Sequence, residues 1–376
     1  MEPLTITREL VAIDSINPSL VPGAAGEGAV ADWLADYLRR AGFDVEMQDV
    51  APGRPNVIAV VDGSKPGPTR LLCGHTDTVG VDGMRAPFVP EVKDGRLYGR
   101  GTQDMKGGLA AMIAAAERWM RGARGGAGRV ILAAVADEEY ASLGAEALAR
   151  RWRADEAVIP EPTGMAVAIT HKGFSCVDIV THGRAAHGSR PADGIDAVIL
   201  MGRVLARLES LDRDLQSRPP HPRLGTGSLH AGRIVGGTEL SVYPARCSLQ
   251  VERRTLPGEA LDIAMTEVGA ILDQLGRADR NFRADVTLLL ARPAYGIRAD
   301  HPLPTTLRRL ANECGRDAPI TGMSFWTDAA LLGAAGIPTV LFGPGGAGLH
   351  GLDEHVVIAD LDRCAEIFER WLNAGG

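Results

Sequence analysis

The chain has 376 residues, 45% of them hydrophobic and 23% charged, with a net charge of −7. That length suggests two or three domains, and the composition is that of a folded globular protein and excludes a disordered one. The mild acidity argues against a nucleic-acid binder, and no apolar stretch is long enough to cross a bilayer. The five cysteines, Cys73, Cys176, Cys247, Cys314 and Cys364, are odd in number and lack CxxC spacing. They point away from a disulfide framework or a zinc ribbon and toward reduced thiols in the cytoplasm. The opening MEPLTITREL has no basic stretch followed by an apolar run, so no secretory signal is expected.

In chain order, Val30, Trp33, Leu34, Tyr37, Leu38 and Ala41 recur at helical spacing and predict an amphipathic helix over 27–42, stopped by Gly42. VIAVVD (57–62) and TRLLCGH (69–75) predict strands joined by the turn-rich GSKPGP. MKGGLAAMIAAAERWM (105–120) predicts a helix, and the apolar run RVILAAVAD (129–137) a strand buried on both faces. EALARRW (146–152) reads as helix, and EAVIPEP (156–162) contains a short strand. This alternation predicts an α/β layer around a mostly parallel sheet. Near Gly173 the texture changes. FSCVDIVTHG (174–183) alternates like a strand, and a helix follows over about 195–211. After the Pro-rich SRPPHPRLGTG (217–227) come two strand-like runs, SLHAGRIVGG and ARCSLQVERR, and a helix near 258–275. A smaller α+β domain over 173–287 is therefore expected, inserted into a larger one over 1–172 and 288–376. From Pro293 the α/β texture resumes with a helix in TTLRRLANECG, a strand and turn in IPTVLFGPG, and a closing helix over 359–373.

In open α/β sheets, sites form at the carboxyl ends of the strands, and the conspicuous polar residues lie there. LLCGHTDTV puts His75 and Asp77 just past a strand, two residues apart and on one side of extended chain. An aspartate suits the second ring nitrogen of a ligand histidine. GRGTQDMKGG puts Asp104 in a Gly-rich turn, where it either bridges two cations or caps the following helix. ADEEYASLGA offers Glu138 and Glu139, one to bind metal and one to act as general base, or simply an acidic helix start. Glu161 in VIPEPTG is stiffened by Pro160 and Pro162, and His350 lies in the Gly-rich GPGGAGLHGLDEHV after the last strand. Each alone reads equally well as an ordinary surface residue. Together they are five nitrogen and oxygen donors after successive strands, a set that suits zinc, cobalt or manganese in a catalytic role.

The order GHTDTV, RGTQDMKGG, DEE, EPT and H-x-x-x-E-x-V resembles the metallopeptidase family of acetylornithine deacetylase, succinyl-diaminopimelate desuccinylase, aminoacylase and glutamate carboxypeptidase. The resemblance runs from about residue 10 to the end. It implies a zinc-peptidase-like catalytic domain with an inserted lid that also dimerises. By the same resemblance, His75, Asp104 and Glu161 hold one metal, and Asp104, Glu139 and His350 the other, with Asp104 bridging. Asp77 orients His75. Glu138 is the base for a metal-bridged hydroxide that attacks an amide carbonyl, and it passes the proton to the leaving nitrogen. A cis peptide is implied after Asp104. His187, in GRAAHGSRP, is implied as an oxyanion donor, often from the partner subunit, and Arg254, in VERRTLPGE, as the holder of a substrate carboxylate. A loop histidine and a surface arginine are the plainer readings of those two. The Gly345 and Gly346 amides are expected to help bind that carboxylate.

The expected cofactors are two divalent ions, zinc first and cobalt or manganese next. The expected partners are a small N-acyl amino acid or peptide and a second copy of the chain, with no nucleic acid and no membrane. Two departures lie on the substrate side: Glu252-Arg253-Arg254 stands where many relatives have Asp-x-Arg, and Ser241 where many carry Asn. Amide hydrolysis of an N-acyl amino acid is the leading reading. A dipeptidase or carboxypeptidase of the same family, and then an inactive metal-bound protein, are the alternatives.

Overall fold

The uninterrupted apolar run Val130–Val135 is a strand segment buried at every position, as its lack of alternation predicts. It lies at the centre of the larger of two units in the computed structural model, which describes residues 1–122 and 126–374. The main strands in chain order are β1 (Asp44–Ala51), β2 (Arg54–Asp62), β3 (Lys65–His75), β4 (Ala127–Val135), β5 (Glu156–Ile159), β6 (Val167–His171), β7 (Gly173–His182), β8 (Ser228–Gly236), β9 (Arg246–Thr255), β10 (Ala284–Arg292) and β11 (Thr339–Leu341).

The first unit comprises Met1–Ile169, Ile297–Thr321 and Thr327–Gly376. Its sheet has the order β1-β2-β4-β3-β5-β11-β6. The four middle strands, β4, β3, β5 and β11, run parallel. The flanks are antiparallel, so the sheet is mixed, with a parallel centre. The reason at one flank is local: Pro52 and Gly53 join β1 to β2 in a two-residue turn, with Gly53 at φ 72, and so short a link permits only a hairpin. Helix Gly107–Arg121 is buried almost all round, and it joins a core with Leu34 and Leu38 of helix Gly28–Ala41 and with Phe368 and Trp371 of helix Ile358–Asn373.

A small antiparallel sheet in the same unit orders Gly346–Ala347, His355–Val357, Arg96–Tyr98 and Glu91–Lys93. It ties the loop of His350 to the segment that precedes Asp104.

The second unit comprises Thr170–Gly296 and Gly322–Trp326. Its antiparallel sheet has the order β8-β9-β7-β10. Val177, Ile179, Leu249 and Val251 point from one face into a separate core with Met201 and Val204 of helix Ala197–Ser217 and Val268 of helix Ile263–Ala278. The sequence boundary at 287/288 falls inside β10, and the contact boundary lies at Gly296. ADVTLLLAR hides its strand character because its apolar residues are half exposed and do not alternate. Among the described residues, no helix is long and apolar enough to cross a membrane.

Candidate metal centre

The parallel strands place His75 opposite Val135, Leu72 opposite Val158 and Ile159 opposite Leu341, so their carboxyl ends gather along one edge. His75 closes β3, Glu138 and Glu139 follow β4, Glu161 follows β5, and His350 lies on the loop after β11. Asp104 comes from the irregular turn Thr102–Lys106 that feeds helix Gly107–Arg121, and its peptide to Met105 is cis, as the resemblance implies.

Two donor groups result, His75 with Asp104 and Glu161, and Asp104 with Glu139 and His350; within each, the donor atoms lie within 4.8 Å of one another. Asp104 belongs to both. Its Oδ1 is 3.0 Å from His75 Nε2, and its Oδ2 is 3.4 Å from His350 Nε2. His350 Nε2 is also 3.3 Å from Glu139 Oε2. His75 and Glu161 are buried, whereas the His350 side chain is 53% exposed and marks the open side.

Backbone and side-chain contacts behind these groups fix them. His75 Nδ1 lies 3.0 Å from the backbone carbonyl of Asp77 and 3.7 Å from its carboxylate. The sequence assigned this orienting role to the Asp77 side chain. The carbonyl makes the hydrogen bond instead, because Asp77 turns its carboxylate toward the Glu138–Glu139 backbone. Glu354, the glutamate of H-x-x-x-E-x-V, is buried and accepts from the amides of Gly101 (3.0 Å), Gln103 (2.9 Å) and Asp104 (3.2 Å) and from Arg100 Nη1 (2.6 Å). It thus shapes the turn that presents Asp104. Its motif was visible in the sequence, but nothing there showed that it grips a backbone.

Burial opposes ionisation of Asp104, yet hydrogen bonds to His350 and His75 outweigh it and hold the carboxyl well below the usual range. Hydrogen bonds to Asp104 first and Glu139 next push His350 up to about 10. Burial pushes Glu138 and Glu161 far up, with neighbouring carboxylates adding to it. Among the described residues, Glu139 Oε1 is buried without a hydrogen-bond partner. Four carboxylates converge on only two imidazoles, and all the donors are nitrogen or oxygen. This set fits a pair of divalent cations.

The remaining predicted residues lie elsewhere. His187 and Arg254 belong to the second unit. The exposed His187 accepts at Nδ1 from the Ser189 amide (3.2 Å), which leaves its proton at Nε2 in the neutral ring. Arg254 Nε pairs with Glu252, and the guanidinium lies over the Phe174 ring at 5.6 Å. The Gly345 amide does not face a substrate: it donates to Asp360 Oδ2 at 3.1 Å, because helix Ile358–Asn373 starts beside it. Gly346 lies in the small sheet opposite Val356.

The profile of peptidase family M20/M25/M40 matches residues 71–374. An acetylornithine deacetylase from Myxococcus xanthus is 32% identical, over 96% of this chain and 94% of its own. A tripeptidase from Staphylococcus aureus superposes with a TM-score of 0.83 at 21% identity, covering 99% of this chain and 97% of its own. A dinuclear metal-binding M20 peptidase from Bacillus subtilis gives 0.75 at 16% identity, covering 99% and 96%.

Proposed function

The chain belongs to peptidase family M20/M25/M40, and from that premise we propose that it hydrolyses small N-acyl amino acids with two divalent cations held around Asp104. The observation that carries the reading is that single carboxylate, whose two oxygens face two histidines of different donor groups. In this reading His75, Asp104 and Glu161 hold one ion, and Asp104, Glu139 and His350 the other. Zinc is the first candidate, with cobalt and manganese as substitutes. Such a pair, when bound, polarises an amide carbonyl and makes water nucleophilic near neutral pH.

Glu138 takes the proton of the attacking water and delivers it to the leaving nitrogen. Its place beside Glu139 in one turn sets it, half-buried, within electrostatic reach of His75, Glu139 and Glu161. His187 donates from Nε2 to the developing oxyanion, the tautomer that its Ser189 contact favours. Arg254, with Nε engaged by Glu252, offers its Nη groups to the substrate carboxylate. The likeness to acetylornithine deacetylases supports an acyl amino acid over a peptide.

The test is a panel of acetylated, succinylated and carbamoylated amino acids beside dipeptides, run on the wild type and Glu138→Ala, after chelation and after adding back zinc or cobalt. Activity should vanish on chelation and return with metal. Glu138→Ala should lose about 10²–10⁴-fold in kcat while still binding metal. Turnover of dipeptides alone overturns the deacylase reading, and full activity after exhaustive chelation overturns the metal reading.

A further inference from the structure

We propose that Asn17, Arg54 and Asp137 form a positioning clamp that works through Asp77 and fixes the turn carrying Glu138 and Glu139. The inference rests on the metallohydrolase reading above. No sequence motif pointed to Asn17 or Arg54, which lie far from the donor residues along the chain.

The turn needs holding. Asp137 sits at φ 71, the left-handed region that residues other than glycine rarely enter. It is the residue immediately before the proposed base. Its Oδ1 is 2.7 Å from Arg54 Nη2 and accepts from Asn17 Nδ2 at 3.0 Å. Its own amide donates to Glu27 Oε1 at 3.1 Å. Arg54 is itself anchored by a two-pronged contact with Glu27, Nε to Oε2 at 2.7 Å and Nη2 to Oε1 at 2.5 Å. Asn17, Glu27, Asp77 and Asp137 are fully buried.

Asn17 then bridges two carboxylates. Its Nδ2 also donates to Asp77 Oδ2 at 2.8 Å. Asp77 passes the restraint on: Oδ1 accepts from the Glu138 amide and Oδ2 from the Glu139 amide, each at 3.1 Å. The chain of contacts therefore runs from a buried guanidinium to the backbone of the two glutamates. Its hydrogen bonds stop short of His75: the Asp77 carboxylate lies 3.7 Å from the ring, and the Asp77 carbonyl holds it instead. That asymmetry separates this clamp from general support of the fold: it should govern the ion that Glu139 holds and spare the ion at His75 and Glu161.

The experiment titrates Co²⁺ into metal-free protein, followed by calorimetry and visible absorption, for the wild type, Asn17→Ala, Asp137→Gly and Asp137→Asn. His350→Ala identifies which binding event belongs to the Glu139 ion. Glycine keeps the left-handed backbone accessible, and Arg54 keeps its Glu27 partner, so Asp137→Gly removes only the side-chain grip. In Asn17→Ala and Asp137→Gly the Glu139 ion should bind about 10–100-fold more weakly, the size expected when a ligand's supporting contact is lost. The other ion should stay within about threefold, and kcat should fall with little change in KM. Asp137→Asn, which keeps an acceptor oxygen, should recover most of the affinity.

Unchanged affinities in both variants, or equal weakening of both ions, overturn the clamp. A wild type that binds no pair of ions overturns the underlying metal reading instead, whatever the variants do.

Discussion

His171 is a titratable group that the proposed reaction does not use. It is fully buried, with Nδ1 bonded to the Lys172 carbonyl at 2.9 Å, its ring beside Tyr295 and Trp326, and Nε2 without a hydrogen-bond partner among the described residues. Burial lowers its pKa from 6.5 to about 4. The unfolded chain therefore binds a proton that the native ring refuses once the pH drops below about 6.5. Stability is intact above that value and falls with pH until the native ring itself titrates. The loss from this one group between pH 7 and pH 5 should be about 2 kcal/mol. His171→Phe keeps an aromatic ring and has nothing to protonate. Urea unfolding at several pH values should show a shallower acid slope in that variant than in the wild type. Parallel slopes would place the acid sensitivity elsewhere.

At the scale of elements, the site depends on how closely helix Gly107–Arg121 approaches the loop after β5. A Cβ on Gly108 would lie 2.1 Å from the backbone oxygen of Pro160, the residue before Glu161. Backbone cannot yield as a side-chain tip can, so Gly108→Ala must push the helix and the Glu161 loop apart. We expect a loss of about 1–3 kcal/mol of stability and weaker binding of the ion assigned to His75 and Glu161, read by thermal unfolding and metal titration. Gly269, inside helix Ile263–Ala278, faces open space. Gly269→Ala should gain about 0.4–1 kcal/mol and serves as the control. The same element shows what the sequence can and cannot reveal. MKGGLAAMIAAAERWM announces a helix by its periodicity, and the donor residues stand out because all but Asp104 lie at or after the end of a sheet strand. Asn17 and Arg54 carry no such mark, since a contact across 120 residues, as between Asn17 and Asp137, leaves no local pattern. Helix Pro3–Val11 went unread as well: Thr5, Ile6, Thr7 and Val11 have the branched side chains of a strand, and only tertiary burial of Ile6, Leu10 and Val11 decides for helix.

At the scale of the whole molecule, the second unit raises the question of assembly. β8 is an edge of its sheet, and an edge strand offers unpaired amides and carbonyls to another chain unless something blunts it. A bulge between Ala231 and Arg233 and the exposed Arg233 blunt its middle, but beyond them Ile234 and Val235 are about half exposed, at 51% and 52%. Helix Ala197–Ser217 packs beside this strand, with Val198 Cγ2 only 3.0 Å from where a Cβ on Gly236 would stand. Val198 and Ile199 add their own exposed apolar surface at 38% and 61%. Exposed apolar side chains beside an open strand edge are what a two-fold pairing of like strands would cover, since each copy presents the same edge and the same helix to the other. We therefore expect a homodimer through the second unit, as the sequence resemblance suggested. Light scattering behind size exclusion should return twice the chain mass at assay concentration. Ile234→Lys places a charge where the second strand would dock, and it should shift that mass to the monomer without lowering the thermal stability of either unit. A wild type that elutes at monomer mass across the micromolar range would mean that this edge faces water, and that any role of His187 must be played within one chain.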